Sequence, residues 1–148
     1  MKKLVLIIAG VLMFGVVNSQ TTGFNPRTGD SEMDGFLKDI STKAKENLNT
    51  FVNDAVTTFN VAKDKVEGLI KVMDPGDVFM TLQTAEIVKK PVEDVKETYV
   101  KYKDKGWGEI AKELGIKPGS KEFHALKDKA KGKKEKSHGN GKGKDKKK

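Results

Sequence analysis

From Met33 onward, apolar positions return every three or four residues. Met33, Leu37, Ile40, Ala44, Leu48, Phe51, Ala55, Phe59, Ala62, Val66, Leu69 and Met73 form one series, with a mean step of about 3.6, the period of an α-helix. Val52, Val56 and Ile70 widen the stripe, and Lys38, Lys45, Asn49, Asn53, Asp64 and Lys71 lie opposite. The pattern predicts a long amphipathic helix over 33–73, either continuous or folded into a helical hairpin. A continuous helix of this length spans on the order of 60 Å, more than one small module can cover. The apolar face is wider than a coiled-coil seam, which favours core packing; a protein partner or a homodimer through this helix is the other way to bury it. Ser31 is the expected N-cap, with Glu32 and Asp34 in the first turn, where the helix dipole favours anions. Residues 20–32, rich in Thr, Gly, Asn and Pro with Phe24 as the one large apolar side chain, read as an extended leader.

A module of shorter helices is predicted over 74–127. Asp74-Pro75-Gly76-Asp77 ends the first element, and Asp77 is the expected cap of a helix burying Val78, Leu82, Ala85 and Val88. Lys89-Lys90-Pro91 separates it from a helix with Val92, Val95, Tyr99 and Tyr102 on one face. Gly106-Trp107-Gly108 is a tight joint into a short helix marked by Trp107, Ile110, Ala111 and Leu114 and stopped by Gly115. After a Lys117-Pro118-Gly119 loop, Ser120 caps a last helix carrying Phe123 and Leu126. The predicted fold class is therefore all-α: the long amphipathic element, a compact bundle of short helices with a helix-turn-helix-like end, and a basic tail.

The most distinctive stretch is GWGEIAKELGIKPGSKEFHALK at residues 106–127. It resembles a module of small, functionally uncharacterised exported bacterial proteins, in which a helix ending in a tyrosine-containing turn likewise precedes a GWG joint and a KPGS loop. The likeness covers roughly residues 74–127 and implies export and a helical fold, with no reaction attached. Residues 110–116 also match the first helix and glycine turn of a helix-turn-helix. The inserted Lys-Pro-Gly and a last helix with few base-reading side chains count against DNA recognition, which leaves an architectural DNA-binding protein as the weakest of the functional readings.

Charge is distributed unevenly. The formal total is +8, yet residues 20–126 sum to −2, while residues 127–148 hold eleven lysines against Asp128, Glu135 and Asp145. Residues 128–148 contain no large apolar side chain and are predicted to stay disordered. At the other end, Lys2 and Lys3 precede an apolar run over 4–17, followed by Val17-Asn18-Ser19. This is the pattern of a signal peptide over 1–19, cleaved before Gln20, for a periplasmic or secreted protein. The run is shorter than the roughly 20 residues of a spanning helix, so no integral membrane span is expected after cleavage.

Candidate chemistry is sparse. Without cysteine there is no disulfide, thiol nucleophile or thiolate metal site. Two histidines do not make a zinc site, and no cofactor or metal is implied. Acidic residues fall three or four from lysines, as in Asp39/Lys43, Glu67/Lys71, Glu93/Lys96 and Glu109/Lys112, the spacing of surface pairs rather than of a catalytic dyad. No enzyme is expected. Two binding readings remain. Lys131, Lys133, Lys134, Lys136, Lys142, Lys144, Lys146, Lys147 and Lys148, spaced by glycines, form a polycation suited to an anionic envelope surface or polyanion. Alternatively, Trp107, with Phe123 and His124, belongs either to the core or to a pocket through which a helical sensor or adaptor takes a protein partner or small apolar ligand.

Overall fold

A computed structural model describes residues 23–138, with side chains through residue 129. The signal-like segment 1–19 and Lys142, Lys144, Lys146, Lys147 and Lys148 lie outside the described residues. After a non-helical leader over 23–30, the described chain is built of helices and short loops with no strand: α1 (Ser31–Glu46), α2 (Leu48–Phe59), α3 (Lys63–Ile70), α4 (Pro75–Val88), α5 (Val92–Tyr102), a 3-10 turn (Lys103–Lys105), α6 (Trp107–Glu113) and α7 (Lys121–His138). None of these helices is long and apolar enough to cross a membrane.

The long apolar stripe is cut into three helices, so neither the continuous helix nor a simple hairpin describes it. Asn47 leaves helical geometry (φ −147°), ends α1 and caps α2 by accepting from the Thr50 amide at 3.1 Å. Asn60 ends α2 in the left-handed conformation, φ 51°, which Asn tolerates better than most residues. Extended Ala62 then starts α3. Each helix turns its own apolar side inward, with Met33, Leu37 and Ala44 from α1, Val52 and Ala55 from α2, and Val66 and Leu69 from α3, while the stripe members beside the two breaks, Leu48 and Ala62, are exposed.

These helices surround α4, which lies against α1, α2, α3, α5 and α7. Every residue of α4 from Pro75 to Ala85 is buried. The single face Val78, Leu82, Ala85 and Val88 is therefore too narrow a description: Phe79, Met80, Thr81, Gln83 and Thr84 are enclosed as well, and Val88 is half-buried. A helix that is covered all round has no reason to keep an amphipathic pattern. Phe79 anchors an aromatic cluster, meeting Phe36 and Phe59 edge-on at 5.4 and 5.5 Å. Burying a side chain of this size contributes about 1.5–3 kcal/mol.

Two caps shift from their expected positions. Asp30, not Ser31, caps α1, accepting from the amides of Glu32 and Met33 at 3.1 and 3.0 Å. Asp74, not Asp77, caps α4, accepting from the Gly76 amide at 3.1 Å, with Pro75 opening the helix. Ser120 caps α7 as expected, accepting from the Phe123 amide at 3.2 Å. The tail begins later than expected, because α7 continues to His138 through part of the segment read as disordered. The helix-turn-helix succession is present in α6, the Gly115 turn and α7, but α6 lies on α5 while α7 lies on α4 and α1.

Candidate functional site

The leader is a structural strap. Its carbonyls at Pro26 and Arg27 accept from the amides of Trp107 and Gly108, both at 2.9 Å, so it supplies acceptors to the otherwise unpaired amides that begin α6. The two glycines of the GWG joint make room for it. Gly106 has φ +88°, and a Cβ there would stand 2.6 Å from Arg27 Cβ. At Gly108 a Cβ would meet the carbonyl oxygens of Thr28 and Arg27 at 3.3 and 3.4 Å. The Arg27 guanidinium donates through Nη2 to the carbonyls of Lys103 (3.5 Å) and Asp104. Upstream, the Phe24 ring lies over Gly76, where an added Cβ would come within 2.5 Å of it. Downstream, Thr28 donates from its amide and hydroxyl to Asp34 Oδ1 at 2.8 and 2.7 Å.

Beneath the strap, Trp107 is core rather than pocket. It is 2 % exposed, and its indole Nε1 donates to Asp77 Oδ1 at 2.7 Å. The Tyr99 hydroxyl donates to Asp77 Oδ2 at 2.8 Å, and the two aromatic rings lie 5.7 Å apart. Asp77 is thus a buried carboxylate held by two neutral donors. Burial pushes its pKa up against the pull of those hydrogen bonds. Burial and the adjacent carboxylate likewise push the Tyr99 hydroxyl well above its ordinary value. The sequence pattern missed this triad because Asp77 reads as a cap. The signal available was chemical: a buried Trp and Tyr each need an acceptor for the polar tip.

Beside the strap lies an open cleft of about 330 Å³. Arg27, Lys105 and Lys112 stand around it, with Ala111, Ile116, Pro118 and Phe123 forming its apolar side. Phe123 is therefore separated in role from Trp107: half-buried, it lines the cleft. His124 is exposed, its ring edge-on to Phe123 at 6.1 Å.

The start of α7 is tied across the molecule. Lys127 Nζ reaches Asp30 Oδ2 at 2.7 Å and Glu32 at 3.6 Å, and Lys129 reaches Glu86 at 2.9 Å. The hydrogen bond from Lys127 holds the Asp30 carboxyl below its usual range and raises the lysine in turn. Among the pairs expected along single helices, Glu109/Lys112 forms at 3.3 Å, whereas Glu67 pairs with Lys63 at 3.6 Å. Glu93 reaches Lys65 of α3 at 2.9 Å, and that bond lowers its pKa. Lys131, Lys133, Lys134 and Lys136 fall on the distal half of α7. Among the described residues, no group of three or more acidic, histidine or cysteine side chains is arranged to hold a metal ion. Comparison with protein-family models, with curated proteins and with solved structures gives no match to this chain.

Proposed function

We propose that the protein is an exported, non-enzymatic module that attaches to an anionic envelope surface through lysines at the end of a helix its own fold holds in place. The observation that carries this reading is the continuity of α7. Leu126 is buried in the core, Lys127 and Lys129 bind the body of the domain, and the same helix continues through Lys131, Lys133, Lys134 and Lys136. From Leu126 to His138 the axis advances about 18 Å at 1.5 Å per residue. At the same rise Lys131 stands about 7.5 Å along the axis from Leu126 and Lys136 about 15 Å, so Lys133, Lys134 and Lys136 pass the Debye length of about 8 Å at physiological salt, while Lys131 stands at its edge. No aromatic side chain stands among the lysines to stack on bases, which favours a charged surface over single-stranded nucleic acid.

Sedimentation of the full chain with vesicles tests this. Retention is expected on anionic phospholipid and not on zwitterionic phospholipid, and it is expected to fall steeply as salt is added. Each lysine near an anionic membrane contributes roughly 1 kcal/mol, so replacing Lys131, Lys133, Lys134 and Lys136 together by Gln is expected to weaken retention at least about a hundredfold. Equal retention on both vesicle types, or retention indifferent to salt, overturns the reading. The second reading, a helical adaptor taking a partner or small ligand, draws its support from the cleft beside the strap rather than from Trp107.

A further inference from the structure

We propose that the cleft between the leader strap, α6 and the start of α7 binds a small amphipathic monocarboxylate. Its carboxylate sits at the rim with Arg27 and Lys105, and its apolar body lies against Ala111, Ile116, Pro118 and Phe123. This site is separate from the distal α7 lysines and stands or falls independently of them.

The charge at the rim selects the head group. Lys112 is matched by Glu109 at 3.3 Å. Among the described residues, neither Arg27 nor Lys105 has a carboxylate partner, so two cations remain in excess at the mouth. Arg27 is held there by its bonds to the carbonyls of Lys103 and Asp104, which leaves little ordering cost for a bound anion. Lys105 is tethered less tightly, with Nζ 5.5 Å from the Tyr102 ring centroid.

The apolar side selects the rest of the ligand. Ile116, 1 % exposed, forms the floor. The loop bearing it is fixed by backbone bonds from Ile116 to Ala111 at 2.8 Å, from Gly115 to Lys112 at 2.9 Å and from Ser120 to Lys117 at 3.0 Å. The wall is therefore preformed. A volume of about 330 Å³ is at the small end for ligand sites, which begin at about 300 Å³. It suits a short chain or a single ring, while a phosphate alone would leave the apolar floor wet and a polyanion would not fit.

Octanoate is the probe, followed by amide chemical shifts of the full chain, with acetate and 1-octanol as controls. Saturable shifts are expected at Thr28, Gly29, Gly108, Ala111 and Phe123 with octanoate, and much weaker ones with either control. Lys105→Gln, at an exposed position, is expected to leave the melting temperature unchanged. Loss of one charge-assisted hydrogen bond should weaken octanoate binding about tenfold or more. Ala111→Leu fills the cleft from its wall and is expected to abolish the saturable shifts while the distal α7 lysines keep their response to anionic vesicles. Shifts confined to residues 131–136, equal binding of 1-octanol and octanoate, or unchanged affinity in a folded Lys105→Gln protein would each overturn the proposal.

Discussion

Asp77 shows how one side chain joins three elements. It stands in the first turn of α4, where the helix dipole favours a carboxylate, and receives hydrogen bonds from α5 through Tyr99 and from α6 through Trp107. Burial nevertheless dominates and raises its pKa. A carboxyl whose folded pKa lies above its unfolded value of 3.8 stabilises the fold fully below that value, and the contribution is lost as pH rises through the folded pKa. Asn in this position can accept from the indole and donate to the Tyr99 oxygen, with no charge to bury. Asp77→Asn is therefore expected to gain stability relative to the natural protein as pH rises from about 4 to 7. Denaturant unfolding at successive pH values measures that gap, and a gap that is flat or narrows with pH contradicts it. Asp77→Leu instead leaves two buried donors without an acceptor, at about 1–3 kcal/mol each. Asp30 and Glu93 act with the opposite sign: lowered by Lys127 and Lys65, they contribute stability that is lost as pH falls.

At the scale of elements, periodicity revealed the helices and concealed their ends. The stripe over 33–73 keeps its step across Asn47 and Asn60, so apolar spacing carries no trace of the breaks. The trace was in the asparagines, whose side chains cap and whose backbones tolerate left-handed geometry. The same limit affected α4, where total enclosure removed the amphipathic pattern. The 106–108 joint was legible as a joint, but not as the seat of the leader, because contacts between residues so far apart in sequence leave no periodic signature. Gly106 and Gly115 both have φ +88°, but Gly106 also has ψ 173°, a region essentially confined to glycine, and of the two only Gly106 has a neighbour, Arg27, within reach of an added Cβ. Gly115→Ala is expected to cost about 1–2 kcal/mol from left-handed strain alone. Gly106→Ala should cost clearly more and release the leader, read as faster amide exchange at Trp107 and Gly108. Unchanged amide exchange at Trp107 and Gly108 in a folded Gly106→Ala protein would mean that the strap is not held by this close approach.

At the scale of the molecule, the lysines of α7 divide into two sets with different work. Lys127 and Lys129 close the fold, tying the helix to Asp30, Glu32 and Glu86. Lys131, Lys133, Lys134 and Lys136 belong to the stretch where positive charge accumulates. Lys129/Lys133, Lys131/Lys134 and Lys133/Lys136 are like-charge neighbours at helical spacing, each unfavourable by about 0.2–0.5 kcal/mol. An anionic surface relieves this repulsion, so binding and helicity reinforce each other. Replacing the distal four by Gln should hold the melting temperature or raise it by a few degrees, since each like-charge pair removed relieves about 0.2–0.5 kcal/mol and about 1 kcal/mol corresponds to roughly 4–8 °C in a domain of this size. It should also flatten the dependence of vesicle binding on salt, because fewer counterions are released. Replacing Lys127 and Lys129 by Gln should lower the melting temperature while leaving most of that salt dependence in place. The two sets can be compared in one series of thermal melts and vesicle titrations on the full chain. If the proximal pair governs binding, or replacing the distal four lowers the melt, the division between a fold that holds and a helix end that attaches is wrong.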